Sequence, residues 1–319
     1  MRASPGRSIL NIDGELLSET KLETVMENLD AKMAEMYLDT KKIRRGFALV
    51  LVNDEFKHRE KRIGAQQDKF NIMKFCERAK FTVNDIKNLK LKNTSGLKFD
   101  SRGLNTHNLT AEQMNDVFKT VSKGDFSSYD AFVCFISSHG SAGGIMGTDD
   151  ELIPLQKIVD YFKATSKFPS LADKPKLFFT QNCRGRNWSV GVEKPDSDDD
   201  SDDVVADTGC VPVTIPEEAD ILIAYSSVDG YESYRNKKEG SWFVTELTKV
   251  FNKHAHNMDL TDMLIIVNNE VARKVSEKGK KQMPCFLTTL RKAVYFDLAQ
   301  PSESPASSSQ EPPNDQPAL

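Results

Sequence analysis

The run "AFVCFI" at 131–136 is apolar at every position rather than every second one, and "LFF" at 177–179 repeats the habit. Successive side chains of a strand leave on opposite faces, so such runs must be covered on both sides. That is the situation of a mostly parallel sheet sandwiched between helices. The rest of the chain follows suit. "FALVLVN" at 47–53 precedes an apolar-periodic stretch near 66–79, and "FTVNDIKNL" precedes another near 110–122. After "KLFFTQ" come "DILIAYSS", helical patterns near 241–254 and 259–275, and a last strand near 286–296. The alternation predicts an α/β fold over about 46–298: one doubly wound, mainly parallel six-stranded sheet with helices on both faces.

Three segments stand outside that pattern. In residues 15–38, Leu22, Met26, Leu29, Met33 and Met36 fall at steps of four and three. This predicts an amphipathic helix in a short pro-segment, 1–45, or a helix packed on the main domain. "KKIRR" at 41–45 reads as a solvated junction, with a nuclear address as the alternative. Between the fourth and fifth strands lies an insertion in which six of the eight residues from Asp196 to Asp203 are aspartate. Nothing there can bury itself, and it lacks the glycine and closing glutamate of an EF-hand loop, so calcium is set aside. The tail, 299–319, is rich in Pro and Ser and is expected to be disordered.

The totals exclude some functions. With 43 basic and 47 acidic residues the net charge is −4, so no global field draws the chain to nucleic acid or anionic lipid. No run of eighteen apolar residues and no signal-peptide core are present, which predicts a cytoplasmic protein with no membrane partner. Five cysteines with no Cys-x-x-Cys pair fit neither a disulfide framework nor a zinc knuckle. No metal or cofactor is expected.

The chemistry concentrates where two strands end. "AFVCFIS" runs into "SHG", putting His139 at its carboxyl lip, and "KLFFTQ" runs into "NCRG", putting Cys183 at its own. Were the strands neighbours, about 4.8 Å apart, thiol and imidazole would face one crevice. A thiolate nucleophile with an imidazole that accepts and returns the proton is a workable hydrolytic pair. Either residue alone is more ordinarily structural. The flanks decide the matter: "SSHG" followed by "QNCRG" resembles the active-site signatures of the caspases, cysteine proteases that cut after aspartate. "KRIGAQQD" at 61–68, "SYRNKKEGSWF" at 233–243 and "KQMPCF" at 281–286 resemble further motifs of that family, in family order. Two departures stand out: Asn182 within the cysteine motif, and Tyr234 where tryptophan is usual.

The resemblance implies a set of roles. His139 and Cys183 are catalytic, and the N–H groups of Gly140 and Cys183 form the oxyanion hole. Arg62 and Arg235 grip the substrate aspartate, with Gln181 as a polar wall and Ser138 nearby. Ser233 and Arg235 pair with the substrate backbone, Tyr234 and Trp242 line neighbouring subsites, and Asn236 contacts a residue further upstream. Guanidinium forks suit a short carboxylate on chemical grounds as well. Trp242 and Phe243 also read as the start of a core helix capped by Ser241. The family further implies a large subunit at 46–185, a cleavable acidic linker at 186–210 with processing at Asp203 or Asp207, and a small subunit at 211–298. It implies a homodimer, related caspases as partners, protein substrates with exposed aspartate, and a place in programmed cell death.

Rival readings remain. A weakly active or inactive homologue that regulates an active relative is motivated by Asn182, whose amide is expected to point away from the crevice into a packed layer. An Arg/Lys-directed relative would need an acidic pocket, against Arg62 and Arg235. A nucleotide-binding protein is prompted by "GSAGGIMG" at 140–147, but no Gly-Lys-Ser/Thr follows. That stretch reads instead as a mobile active-site loop.

Overall fold

Alternate side chains of the central strands enter two different cores. The computed structural model describes residues 40–100, 103–165, 169–185 and 216–298. The 15–38 stretch, the acidic insertion with Asp203 and Asp207, and the C-terminal tail lie outside the described residues. The main sheet is built from β1 (Gly46–Val52), β2 (Thr82–Val83), β3 (Ala131–Ser137), β4 (Lys176–Gln181), β5 (Ile221–Tyr225) and β6 (Cys285–Thr288). Their spatial order is β6-β5-β4-β3-β1-β2. All neighbours are parallel except β6, which runs antiparallel to β5.

Among the described residues five helices cover the sheet: α1 (Ala65–Arg78), α2 (Ala111–Val121), α3 (Leu155–Tyr161), α4 (Trp242–His254) and α5 (Leu260–Arg273). Ala48, Val50, Phe135 and Phe179 share one core with residues of α1, α4 and α5. Phe47, Leu49, Phe132, Cys134 and Phe178 share the other with residues of α2 and α3. The two-residue period of the strands, apolar in both phases, therefore explains the sandwich directly. Aromatic rings hold each side. Phe75 has Phe81, Phe135, Phe251 and Phe296 within 6.5 Å, centroid to centroid. Cutting such a ring back to alanine opens a cavity worth about 3–5 kcal/mol.

The structure revises the sequence reading at four places. The last strand is two: β6 stays in the sheet, while Val294–Phe296 leaves it and pairs in parallel with Lys41–Ile43. The "KKIRR" junction is consequently part of the fold, with Ile43 buried, so the folded unit begins before residue 46. "GSAGGIMG" is not a loose loop: Gly140–Ser141, Gly144–Met146 and Leu152–Ile153 form a three-stranded antiparallel sheet. Glycines carry no apolar period, so those strands are silent in sequence. Finally, α3 was not anticipated.

The register places the functional edge. Ser137 lies opposite Val52 on one side and Gln181 on the other, so β1, β3 and β4 end level. The segments leaving their carboxyl ends converge there, and no described helix is long and apolar enough to cross a membrane.

Candidate active site

Strands β3 and β4 are adjacent, as the dyad requires, and the Ser138 N–H donates to the Gln181 carbonyl at 3.1 Å. Cys183 follows at once. Its peptide neighbours are fixed on both sides. Asn182 gives its N–H to Ser226 Oγ at 3.2 Å, and that hydroxyl returns a bond to the Asn182 carbonyl at 2.8 Å. Arg184 exchanges backbone bonds with Gly230 and Tyr231, at 3.1 and 3.0 Å. Gly185 meets Gly230 so closely that a Cβ on Gly185 would sit 2.1 Å from the Gly230 carbonyl oxygen. Only glycine fits there. The Arg184 guanidinium lies 4.1 Å from the centroid of the Tyr225 ring, a cation–π contact that closes the turn.

Gln181 and Cys183 share a side, as the strand period predicts: Gln181 Nε2 donates to Ser233 Oγ at 2.9 Å, and Cys183 Sγ lies 3.7 Å from that same oxygen. The Ser233 N–H also points at the sulfur, at 3.5 Å. Asn182 faces the other way and is buried. Its Nδ2 donates to the Cys183 carbonyl at 3.0 Å, while its Oδ1 is buried with no partner. The expected unpaired amide is therefore half true. Asn182 packs beneath Gly140, where an added Cβ would meet Nδ2 at 2.6 Å.

His139 sits between Phe56, 4.7 Å from centroid to centroid, and the backbone of Glu60, which hydrogen-bonds the ring. Its Nε2 is buried and has no partner. Burial first, then the charge of Arg62, pushes its pKa down to about 4, with the Glu60 bond acting in opposition. The imidazole is neutral at pH 7, with Nε2 free to accept a proton. Neither Phe56 nor Glu60 was singled out from the sequence, since a loop carbonyl leaves no residue-type signature.

Arg62 is almost wholly buried. Nη1 donates to the Asn53 carbonyl at 2.9 Å and to Ser137 Oγ at 3.1 Å. Arg235 approaches from the segment across the crevice, its Nε donating to the Ile63 carbonyl at 2.8 Å. Burial and the nearby Arg235 lower the Arg62 pKa to about 9, while Asp68 and Cys183 oppose that shift. Arg235 is lowered by burial as well, and the same two groups, Asp68 and Cys183, oppose it. The two guanidinium groups are thus within electrostatic reach of each other and of the sulfur. Gln181 Oε1, in the same place, is buried without a partner.

Other anticipated residues have partners of their own within the fold. Ser138 Oγ donates to the Met146 carbonyl at 2.6 Å, which ties it to the small antiparallel sheet. Asn236 is exposed, and its Oδ1 accepts from the N–H groups of Lys238 and Glu239, shaping its own turn. Tyr234 stacks obliquely on Trp242 at 5.3 Å and donates its hydroxyl to Glu232 at 3.3 Å. Trp242 begins α4 half-buried, and Phe243 is core. Ser241 precedes α4 without capping it: its hydroxyl donates to Asp68 at 2.5 Å instead. Among the described residues no group of three or more His, Cys, Asp or Glu side chains is placed to hold a metal ion.

Asp68 and Gln282 were missed as site residues. Both are buried and polar. Gln282 Nε2 donates to the Ser226 carbonyl at 2.7 Å while its Oε1 accepts the Tyr234 N–H at 2.6 Å. It joins the strand end that braces Cys183 to the segment that carries Arg235.

The caspase-domain family model matches residues 45–295. Caspase-3 of Mesocricetus auratus is 39% identical over 220 residues, which cover 66% of this chain and 75% of the relative. Caspase-3 of Bos taurus is 38% identical over 66% of this chain and 76% of its own, and that of Mus musculus is 38% identical over 66% and 75%. With thiol, neutral imidazole and paired guanidinium groups gathered at one sheet edge, and with matches of this extent, the chain belongs to the caspase family of cysteine-type, aspartate-specific endopeptidases.

Proposed function

We propose that this chain cleaves proteins after aspartate through Cys183 and His139, and that it does so in programmed cell death. Cys183 Sγ attacks the carbonyl carbon of the scissile bond, and His139 Nε2 takes the thiol proton. The imidazolium then returns that proton to the leaving amine as the C–N bond breaks, leaving a thioester. Water, deprotonated by the same nitrogen, adds to the thioester and releases the acid and the thiol. The N–H groups of Gly140 and Cys183 are the donors for the oxyanion, each worth about 3 kcal/mol in the transition state. Arg62, Arg235 and Gln181 receive the aspartate side chain, Ser233 and Arg235 the substrate backbone, and Tyr234 and Trp242 the preceding residues.

The observation that carries the reading is that two guanidinium groups, anchored on Ser137 and on the Ile63 carbonyl, lie within electrostatic reach of each other and of Cys183, together with the unpartnered Gln181 Oε1. Two guanidinium groups held near each other, one of them buried, make a site that favours an anionic ligand. Activation is by cleavage after Asp207 or Asp203, which divides a large from a small subunit. The outer edge of β6 supplies the homodimer contact. Related caspases are further partners.

Fluorogenic peptides ending in Asp, Lys or Asn test the assignment. The aspartyl peptide is hydrolysed at least about a thousandfold faster than the Asn peptide, since a site built for a carboxylate rejects the neutral mimic. Cys183→Ala abolishes the reaction with the fold intact. Equal rates on Asp and Lys peptides would falsify the assignment. One observation favours a second reading, a weakly active homologue that regulates a relative: the buried, unpartnered Asn182 Oδ1 behind the nucleophile. Wild type that leaves the aspartyl peptide intact, while Asn182→Ala cleaves it, would select that reading. Mass spectrometry of the fully active enzyme tests activation; an uncut chain would refute it.

A further inference from the structure

The Asp68 carboxylate touches neither the sulfur nor the imidazole, yet both halves of the cationic pocket are hung from it. Oδ1 accepts the Ser241 N–H at 2.6 Å, and Oδ2 accepts the hydroxyls of Ser241 at 2.5 Å and Ser137 at 3.1 Å. Ser137 Oγ in turn accepts from Arg62 Nη1. Ser241 is the register partner of Arg235 in the short antiparallel pair Arg235–Asn236 with Gly240–Ser241. One buried carboxylate therefore reaches one arginine through a serine hydroxyl and the other through a strand pairing.

We propose that Asp68 is a positioning residue for recognition of the substrate carboxylate: it holds the two arginine-bearing segments in register and supplies the fixed counter-charge between them. The proposal rests on the reading of Arg62 and Arg235 as the pocket for an aspartate side chain. Without a negative charge nearby, two guanidinium groups in a half-closed crevice repel one another, and the buried one bears a large desolvation cost. A substrate carboxylate relieves that only while it is bound. Asp68, bonded to Ser137 and Ser241, relieves it permanently. Burial raises the Asp68 pKa, and the Ser241 hydrogen bonds and the charge of Arg62 oppose the rise. The groups facing Arg62 are Arg235 from the substrate segment, Asp68 from α1, Cys183 from the turn after β4, Asp54 from the segment after β1, and His139 from the turn after β3.

Asp68→Asn tests this with little change of shape. The amide oxygen accepts the Ser241 N–H, and the amide nitrogen donates to the two hydroxyls, which rotate to receive it. Only the charge is removed. On the aspartyl peptide KM rises about tenfold while kcat stays within about threefold, the signature of lost substrate grip rather than lost chemistry. The alkaline limb of kcat/KM also moves to lower pH, because Arg62, already lowered to about 9, loses the charge that opposes the shift. A purely structural role leaves that limb in place. Folded Asp68→Asn with wild-type KM and alkaline limb overturns the proposal. Should that variant not fold, Ser241→Ala carries the test: it takes one hydroxyl from Asp68 and touches neither guanidinium. KM then rises about threefold, and an unchanged KM overturns the proposal. Failure of wild type to cleave the aspartyl peptide at all would instead overturn the pocket assignment on which this rests.

Discussion

The buried polar groups of the framework and those at the reacting centre differ in how completely they are partnered. Asn53, Asp68, Ser226 and Gln282 each spend their polar atoms on neighbours: Asn53 alone bonds both backbone groups of Leu109 and the Met146 carbonyl. At the centre, His139 Nε2 and Gln181 Oε1 are buried with none. A buried group left unsatisfied costs about 1–3 kcal/mol, so the pattern is not neutral. Of the four such atoms among the described residues, His139 Nε2 and Gln181 Oε1 stand at the Cys183 end of the sheet, Asn182 Oδ1 lies behind the nucleophile, and His256 Nδ1 lies beyond the C-terminal end of α4. The two open atoms beside Cys183 stand on neighbours whose own polar atoms are bonded, which is what pre-organisation of a site demands.

Breaking the open side should act on catalysis alone. Arg235→Ala lowers kcat/KM on an aspartyl peptide about a hundredfold, equal to ~3 kcal/mol of lost charge recognition, while the melting temperature moves little. Steady-state kinetics beside calorimetry checks both halves. Breaking the framework should act on stability first. Gln282→Leu orphans the Ser226 carbonyl and the Tyr234 N–H and costs about 2–3 kcal/mol in denaturant unfolding. If it leaves stability untouched, the division drawn above is wrong.

The sign of a pH effect sharpens the contrast. His139 has a folded pKa of about 4, below its unfolded value near 6.5, so the unfolded chain takes up the proton first. Its contribution is complete above pH 6.5 and is lost as pH falls toward 4, an effect of about 1–2 kcal/mol after solvent screening. The slope of melting temperature against pH in that window is accordingly shallower in His139→Ala. The smallest effect lies at the far end of β4. Lys176 is buried there, with a single long bond of 3.4 Å to the Leu171 carbonyl, and burial lowers its pKa to about 8. Folding therefore gains as pH rises from about 8 toward the unfolded value near 10.4. Lys176→Met removes that dependence and adds about 1 kcal/mol at neutral pH. A loss of stability would mean that the ammonium is held better than its one bond indicates.

What was legible in the sequence follows from which interactions leave a local trace. Strands β1, β3, β4 and β5 are apolar in both phases, and α1, α2, α4 and α5 are periodic, so their existence and order could be read. The glycine-rich strands at 140–146 have no period to detect, and of the strand read into 81–89 only Thr82–Val83 forms. The same holds for the site. Cys183, His139 and the arginines stand in motifs whose chemistry is visible in the side chains themselves. Asp68 was passed over because an aspartate in the first turn of a helix ordinarily answers the helix dipole, and only the fold brings Ser137 and Ser241 to it. Ser241, read as a helix cap, is diverted for the same reason. Ser138 and Asn236 show the converse, polar residues in familiar motifs whose side chains are already engaged.

Residues 186–215 connect β4 to β5, which are neighbours at the centre of the sheet, with Lys176 through Thr180 lying opposite Ile221 through Tyr225. The glycine contact of Gly185 with Gly230, and the backbone bonds of Arg184 with Gly230 and Tyr231, add a second seam beyond the strand ends. A nick anywhere along that connection leaves the two fragments laced together by the same hydrogen bonds and shared cores as before. They should travel as one particle in gel filtration and part only on denaturation.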